Sequence, residues 1–321
     1  MIQRGRLLVT GATGFVGRAL VNRAALDGLQ LRATARRQKT DWPPGVEIAS
    51  VGDLAPATDW RTALDGVDVV VHCAARVHIM NESVTNPLAE FRRVNVAGTL
   101  NLARQAVDAG VLRFVFISSI KVNGEGTPLD QPYTVDHLPA PVDLYGISKH
   151  EAELGLLQLA EETGLEVVII RPVLVYGPGV KANFLSMMRW LQQGIPLPLG
   201  ALQNRRSLVA LDNLVDLIVT CLDHPAGANK IFLVSDGEDI STTELLRRTA
   251  AALGRPARLI RVPPLILRTA ARFLGKTDLA QRLCGSLQVD ISNTREVLGW
   301  VPPVSVDDAL KQTARHFLAN L

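Results

Sequence analysis

Residues 10–17 read Thr-Gly-Ala-Thr-Gly-Phe-Val-Gly, and no other stretch of the 321 residues constrains the fold as strongly. The apolar run Leu7-Leu8-Val9 leads into it, and a helical pattern opens at Arg18. The order is strand, tight turn, helix. Glycine removes the Cβ that would hold a backbone away from an anion, and a helix start offers N–H donors and a positive dipole end. The glycines fall at Gly11, Gly14 and Gly17, a G-x-x-G-x-x-G spacing. Ala12 and Thr13 depart from the commoner G-x-G-x-x-G. In a strand-turn-helix setting, the ligand this chemistry favours is a dinucleotide diphosphate.

The rest of the chain fits that beginning. Apolar runs recur at 7–9, 31–33, 46–49, 67–71, 114–117 and 167–170, with helical patterns at about 14–27, 58–64, 87–109 and 143–163. Short β-rich runs alternating with helices predict an α/β fold, a Rossmann-type doubly wound parallel sheet. Ligands of such sheets sit beyond the carboxyl ends of the strands. After Arg171 prolines and glycines cluster and the elements shorten. Residues 1–171 therefore read as the dinucleotide-binding domain and 172–321 mainly as a smaller α/β substrate lobe. The run 231–234 is expected to return to the large sheet, and the proline-bearing stretch 127–141 to form a flap over the site.

The charge balance, 34 basic against 31 acidic residues, excludes a nucleic-acid stripe or a polybasic membrane anchor as the dominant theme. No apolar run approaches membrane-spanning length, so the expected location is cytoplasmic, with no nucleic-acid or membrane partner. Cys73, Cys221 and Cys284 are far apart in apolar surroundings, without metal-ligand spacing. They are expected to be buried reduced thiols, and no metal is expected.

The reaction chemistry centres on Tyr145-Gly-Ile-Ser-Lys149. Residues four apart share a helix face. A lysine cation near a phenol favours the phenolate and makes tyrosine usable as an acid-base group near neutral pH. Ser118 and Ser119 end the run 114–117, at the sheet edge where that face would lie. A hydroxyl there can bond the reacting oxygen.

These motifs, with Asp53-Leu54, His72-Cys-Ala-Ala75, Asn95-Val-Ala-Gly-Thr99, Arg171-Pro-Val-Leu-Val-Tyr-Gly-Pro178 and Leu298-Gly-Trp300, resemble the extended short-chain dehydrogenase/reductases over nearly the whole chain. Within that group the chain is similar to nucleotide-sugar epimerases, dehydratases and 4-keto reductases. The resemblance implies Tyr145 as acid/base, Lys149 orienting it and binding the nicotinamide ribose, and Ser119 as the catalytic hydroxyl. The family's Val-Tyr-Gly is Val122-Asn123-Gly124 here, so a tyrosine has become Asn123. Cofactor contacts are implied for Gly11, Thr13, Gly14, Phe15, Val16, Gly17, Asp53, Leu54, Ala74, Ala75, Asn95 and Pro172, besides Tyr145 and Lys149. Substrate contacts are implied for Arg76, His78, Ser118, Ser119, Asn183, Arg206 and Arg282.

Where NAD enzymes usually carry a carboxylate for the ribose, this chain has Arg36-Arg37. Guanidinium groups suit a 2′-phosphate, so NADP(H) is favoured over NAD(H). A reductase takes a fresh hydride at each turnover and commonly draws on NADPH. Segments 72–80 and 118–124 resemble bacterial enzymes that reduce the C4 keto group of UDP-4-keto-6-deoxy-N-acetylhexosamines for surface polysaccharide synthesis, which is the reaction the resemblance implies. The alternative is a UDP-hexose 4-epimerase with bound NAD, and the third reading a non-catalytic NADP-binding sensor or scaffold. A UDP-sugar is expected ahead of a dTDP-sugar. Ala152, Leu156 and Leu159 form one apolar face of the helix at 143–163, and Ile147, Leu154 and Leu157 a second. A second such face points to further burial, by a partner helix or under the flap or small lobe, and the resemblance implies a homodimer through this helix and that at 87–109.

Overall fold

The strand Leu7–Thr10 (β1) is buried along its whole length, which requires layers on both of its faces. The computed structural model describes residues 5–36, 41–77, 86–275 and 277–321. Arg37 and His78 lie outside the described residues. From β1 the chain runs through α1 (Phe15–Leu26), β2 (Leu31–Ala35), β3 (Val46–Ser50), α2 (Arg61–Leu64) and β4 (Val69–His72). It continues through α3 (Pro87–Phe91), α4 (Thr99–Asp108), β5 (Arg113–Ile117), α5 (Leu144–Thr163) and β6 (Glu166–Pro172).

The second half contributes β7 (Leu174–Tyr176), α6 (Ala182–Gln192), β8 (Arg206–Ala210), α7 (Leu211–Cys221), β9 (Lys230–Val234) and β10 (Asp239–Ile240). It ends with α8 (Thr242–Ala252), α9 (Pro264–Phe273), α10 (Thr277–Cys284), α11 (Ser292–Leu298) and α12 (Val306–Ala319).

Seven parallel strands form the large sheet in the order β3-β2-β1-β4-β5-β6-β9. The chain moves outward from β1 to β3, then restarts at β4 and moves the other way. The crevice for a ligand therefore opens between the carboxyl ends of β1 and β4. On one face Leu20 and Val21 of α1 pack with Leu214 and Ile218 of α7. On the other, Leu102 and Ala106 of α4 pack with Ala152 and Leu156 of α5. Each such large side chain contributes roughly 1.5–3 kcal/mol on burial. As the apolar run 231–234 predicts, β9 pairs with β6, from Val168↔Lys230 to Pro172↔Val234.

A second sheet, β10-β8-β7, carries the small lobe. Its core gathers Tyr176, Phe184, Met188, Leu246 and Leu310, with Tyr176 stacked on Phe184 at 5.6 Å. The stretch 127–141, expected as a flap, is stitched to this lobe. Thr127 N–H donates to the Ser286 carbonyl, Tyr133 N–H to that of Gln288, and Asp290 N–H to that of Tyr133.

Two helices differ from the periodicity. The pattern at 58–64 yields only α2, because the Thr58 hydroxyl bonds the Asp53 carbonyl and the Ala55 N–H in a turn. The pattern at 87–109 is helical throughout but widens into a π-helix at Arg92–Gly98 between α3 and α4. Helix α5 is bounded by Asp143, whose carboxylate accepts from Gly146 N–H, and by Gly164 in the left-handed region. Its Ala152 and Leu156 are buried, Leu159, Ile147 and Leu157 half-buried, and Leu154 exposed. Among the described residues no helix is long and apolar enough to cross a membrane.

Candidate active site

The turn after β1 is built around contacts that no side chain permits. A Cβ on Gly11 would stand 2.6 Å from the Ala74 backbone nitrogen, and one on Gly17 only 2.3 Å from the Gly11 carbonyl oxygen. Gly11 also takes a φ of 65°, and its carbonyl accepts from Gly14 N–H at 2.8 Å. Three consequences follow. The turn touches the loop after β4, helix α1 starts close under β1, and Thr13 and Gly14 remain exposed at the helix start. Phe15 and Val16 fill its first turn, half-buried. This cradle fits the diphosphate of a dinucleotide.

The neighbouring strand ends extend the same groove. Asp53 follows β3 and lines an open hollow with Ser50, Gly52, Ala55 and Thr58. Leu54 packs so closely on the π-helix that a Cβ on Gly98 would lie 3.0 Å from its Cγ. Arg36 follows β2, and its guanidinium donates to the Asp53 carboxylate at 3.1 Å. Both are exposed. Ala74, Ala75 and Arg76 follow β4 half-buried, and Pro172 is buried at the end of β6.

Asn95 corrects a sequence expectation. Read as a cofactor contact, it is buried, and its amide accepts from Arg76 N–H at 2.7 Å while donating to the Arg76 carbonyl and to the Ser148 hydroxyl. It is a strut that holds the loop after β4 against α5. The π-helix brings it there.

Tyr145 and Lys149 share one face of α5, as their spacing predicts. The Tyr145 ring is half-buried, edge-on to Phe91. Lys149 is buried, its ammonium donating to the Ile117 carbonyl at 2.7 Å, over the Phe116 ring and 5.9 Å from the Tyr145 ring centre. Burial pushes the lysine down to about 8, against the opposing pull of Glu153 and Cys73. Burial, then Asp143, pushes the Tyr145 phenol up. Lys149 is the nearby cation that can draw the phenol down again and favour the phenolate.

The two serines part ways, because successive residues of an extended chain point to opposite sides. Ser119 is half-buried and its oxygen accepts from Lys121 N–H at the start of a 3₁₀ turn, Ile120–Val122. Gly146 lets that turn close on α5, since a Cβ there would stand 2.7 Å from the Lys121 carbonyl oxygen. Ser118, expected as a substrate contact, is instead buried beside Glu153. Of the two, Ser119 alone keeps an accessible side chain.

Behind the Tyr145–Lys149 face lies a group that the sequence reading overlooked. Glu153 and Arg171 are each 2% exposed and form a two-pronged ion pair at 3.0 and 2.6 Å, with Arg171 also donating to the Asn123 side-chain oxygen at 3.0 Å. Burial alone would push Glu153 up, but the paired hydrogen bonds and charge of Arg171, with His150 and Ser118 close by, hold it below the usual carboxylate range. Its signal was present as Tyr145-x₃-Lys149-x₃-Glu153, one face of one helix. His72 is likewise buried, between the hydroxyls of Thr10 at 2.6 Å and Thr99 at 3.0 Å. Burial, helped by Lys149, pushes it down to about 3.

On the small-lobe side, Arg206 at the start of β8 is half-buried, and its guanidinium donates to the carbonyls of Arg282 at 2.9 Å and Gly285 at 3.3 Å. Burial and then the charge of Arg282 lower the Arg206 pKa. The structure thus brings these two cations together, a favourable setting for an anion. Asn183 is exposed in the first turn of α6. Arg76 stacks over Phe91 and stands 3.9 Å from the Glu90 carboxylate. The three cysteines are free thiols, Cys221 and Cys284 buried and Cys73 half-buried, with burial pushing the Cys73 thiol up to about 12. Among the described residues no cluster of three or more His, Cys, Asp or Glu side chains is arranged to hold a metal.

The chain is 52% identical over 97% of its length to a Vibrio cholerae protein named UDP-glucose 4-epimerase, covering 95% of that protein. Its fold superposes on the structure of MoeE5 in complex with UDP-glucose and NAD with a TM-score of 0.78 and 25% identity, covering 98% of this chain and 99% of the other. The fold also matches that of UDP-glucose 4-epimerase from Thermotoga maritima, with a TM-score of 0.79, 22% identity and coverage of 98% and 99%. Residues 7–235, from the first strand through β9, match the NAD dependent epimerase/dehydratase family, an extended short-chain dehydrogenase/reductase group to which this chain belongs.

Proposed function

We propose that the protein is a UDP-hexose 4-epimerase that keeps NAD bound through its cycle, with UDP-glucose or UDP-N-acetylglucosamine as substrate. The observation that carries this reading is the 52% identity, end to end, with the Vibrio cholerae protein of that name. When bound, NAD supplies an acceptor for the C4 hydride and later its donor. Tyr145 takes the C4 hydroxyl proton on its phenolic oxygen and returns it, with Ser119 bonding the same oxygen. Lys149, held on the Ile117 carbonyl, supplies the positive charge that favours the phenolate. Arg206 and Arg282 receive the UDP diphosphate, and Asn183 lies at the entrance of the same lobe.

The preference for NADP drawn from Arg36 and Arg37 is replaced by one for NAD. Strands β2 and β3 are neighbours, so the loop carrying Asp53 sits beside Arg36 although 17 residues separate them in sequence. A guanidinium already facing a carboxylate offers less to a 2′-phosphate, and the carboxylate repels one. This supports NAD and weakens the 4-keto reductase reading, whose case for NADPH rested on those arginines. A homodimer through α3–α4 and α5 belongs to the same proposal, supported by Leu154 exposed at the centre of α5.

The test is direct. Protein purified without added cofactor is denatured and its released nucleotide identified, and the intact protein is given UDP-glucose alone. NAD in the supernatant and conversion to UDP-galactose are expected. No conversion without added nucleotide, together with NADPH-dependent reduction of a UDP-4-keto sugar, would instead establish the reductase. Arg36→Ala is expected to leave NAD-dependent turnover within about twofold, as for a solvated ion pair.

A further inference from the structure

Helix α9 is turned the wrong way for a helix of a globular protein. Leu265, Ile266 and Phe273 are 75%, 57% and 88% exposed, and Leu274, just past its end, is 71% exposed. At 100° per residue, Leu265, Ile266, Ala270 and Phe273 fall on one side. The opposite side carries Leu267 and Ala271, half-buried where α9 packs on α10. Arg268 and Arg272 flank the apolar face, both exposed, and Arg261 is exposed just before the helix. The sequence around it is sharply polarised. Between Arg255 and Lys276 lie Arg258, Arg261, Arg268 and Arg272, and no aspartate or glutamate. The nearly balanced charge of the whole chain conceals this segment.

We infer that α9 docks the protein on anionic lipid bilayers, lying in the interface plane with Leu265, Ile266 and Phe273 among the acyl chains and Arg261, Arg268 and Arg272 at the phosphates. An apolar face of this size with a cationic flank and no acid matches an anionic interface on both counts. A second copy of the chain fits less well. A two-fold contact through this face would gather Arg268 and Arg272 of both copies at one interface, with no acid between 255 and 276 to answer them. The hairpin adjoins the cleft as well, because the end of α10 supplies the Arg282 carbonyl that holds Arg206. A docked α9 would place the mouth between the lobes near the membrane surface, whatever sugar the site accepts.

The intact protein is sedimented with vesicles of phosphatidylcholine alone and of phosphatidylcholine with phosphatidylglycerol at about 2:1. Binding is expected only to the anionic vesicles, and it should weaken as salt screens the charges. Leu265→Glu/Phe273→Glu and, separately, Arg268→Glu/Arg272→Glu should each lower vesicle affinity about tenfold or more, with unchanged circular dichroism. Because Arg268 also donates to the Cys284 carbonyl at 3.4 Å, Arg261→Glu/Arg272→Glu, at two exposed positions, keeps the test decisive should either other pair misfold. Equal binding to both vesicle types, or variants that bind like the parent, would overturn the inference. So would a solution dimer that the Leu265→Glu/Phe273→Glu variant loses, since that would assign the face to a second copy.

Discussion

The two sides of the cleft are built differently. On the large-lobe side the polar groups are buried and answered by side chains. Glu153 meets Arg171, which also meets Asn123, Asn95 meets Ser148 and the Arg76 backbone, and His72 sits between Thr10 and Thr99. On the small-lobe side Arg206 is half open, held by backbone carbonyls and facing a second cation. Buried polar groups paired with one another rigidify their surroundings, whereas a cation held only by carbonyls is completed by an anionic ligand. On the proposed function, the reacting centre is set before substrate arrives and the grip on the nucleotide forms with it.

The largest effect expected from this division is chemical. Tyr145→Phe removes only the phenolic oxygen from a half-buried ring, so folding and nucleotide retention should stay as they were. Turnover should fall by about 10³-fold or more, the upper range for a positioned acid-base group. Single-turnover kinetics together with the retained nucleotide measure both quantities. A variant that keeps more than a tenth of its activity would remove Tyr145 from the reaction.

Next comes the ion pair behind it. Arg171→Leu strands the Glu153 carboxylate among buried groups and should cost about 3–5 kcal/mol in urea unfolding. The double variant Glu153→Leu/Arg171→Met should recover most of that loss, because two buried charges disappear together. If the double variant is no more stable than the single one, the pair is not what stabilises this side of the cleft.

Much of this side was legible in the sequence, and the reasons are local. Gly11, Gly14, Gly17, Tyr145 and Lys149 are fixed by short spacings within one turn or one helix. What the sequence concealed depends on distant partners. Arg36 finds Asp53 only because β2 and β3 lie side by side. Arg171 finds Glu153 only once β6 is under α5. Asn95 reaches Arg76 and Ser148 from a π-helix whose residues look like an ordinary helix. The small sheet was missed for a related reason. β7 and β10 have three and two residues, too few for a periodicity, and they exist because β8 lies between them.

The third effect is a pH dependence. His72 is held at about 3 in the folded protein, below its ordinary 6.5. The unfolded chain therefore takes up the proton first, so its contribution is intact above 6.5 and is lost as pH falls towards 3. That difference amounts to about 2 kcal/mol lost by pH 5. His72→Asn removes the titrating group, and its unfolding free energy should change less than the parent's between pH 7 and pH 5. Parallel curves for the two proteins would show that the acid limb belongs to other groups.

The smallest effect tests the open side. Arg206→Leu should raise KM for the UDP-sugar about tenfold, the loss of one charged hydrogen bond, with kcat nearly unchanged. Affinity for UDP itself should fall by the same factor, because the proposed contact is with the diphosphate and not the reacting sugar. Arg206→Lys keeps the charge but not the planar fork and should fall between the two. The contrast with Tyr145→Phe is what matters: one side of the cleft is read in kcat, the other in KM. An Arg206→Leu protein that loses kcat while binding UDP normally would mean that the small lobe helps set the reacting geometry, and the division between a preset centre and a ligand-completed grip would fail.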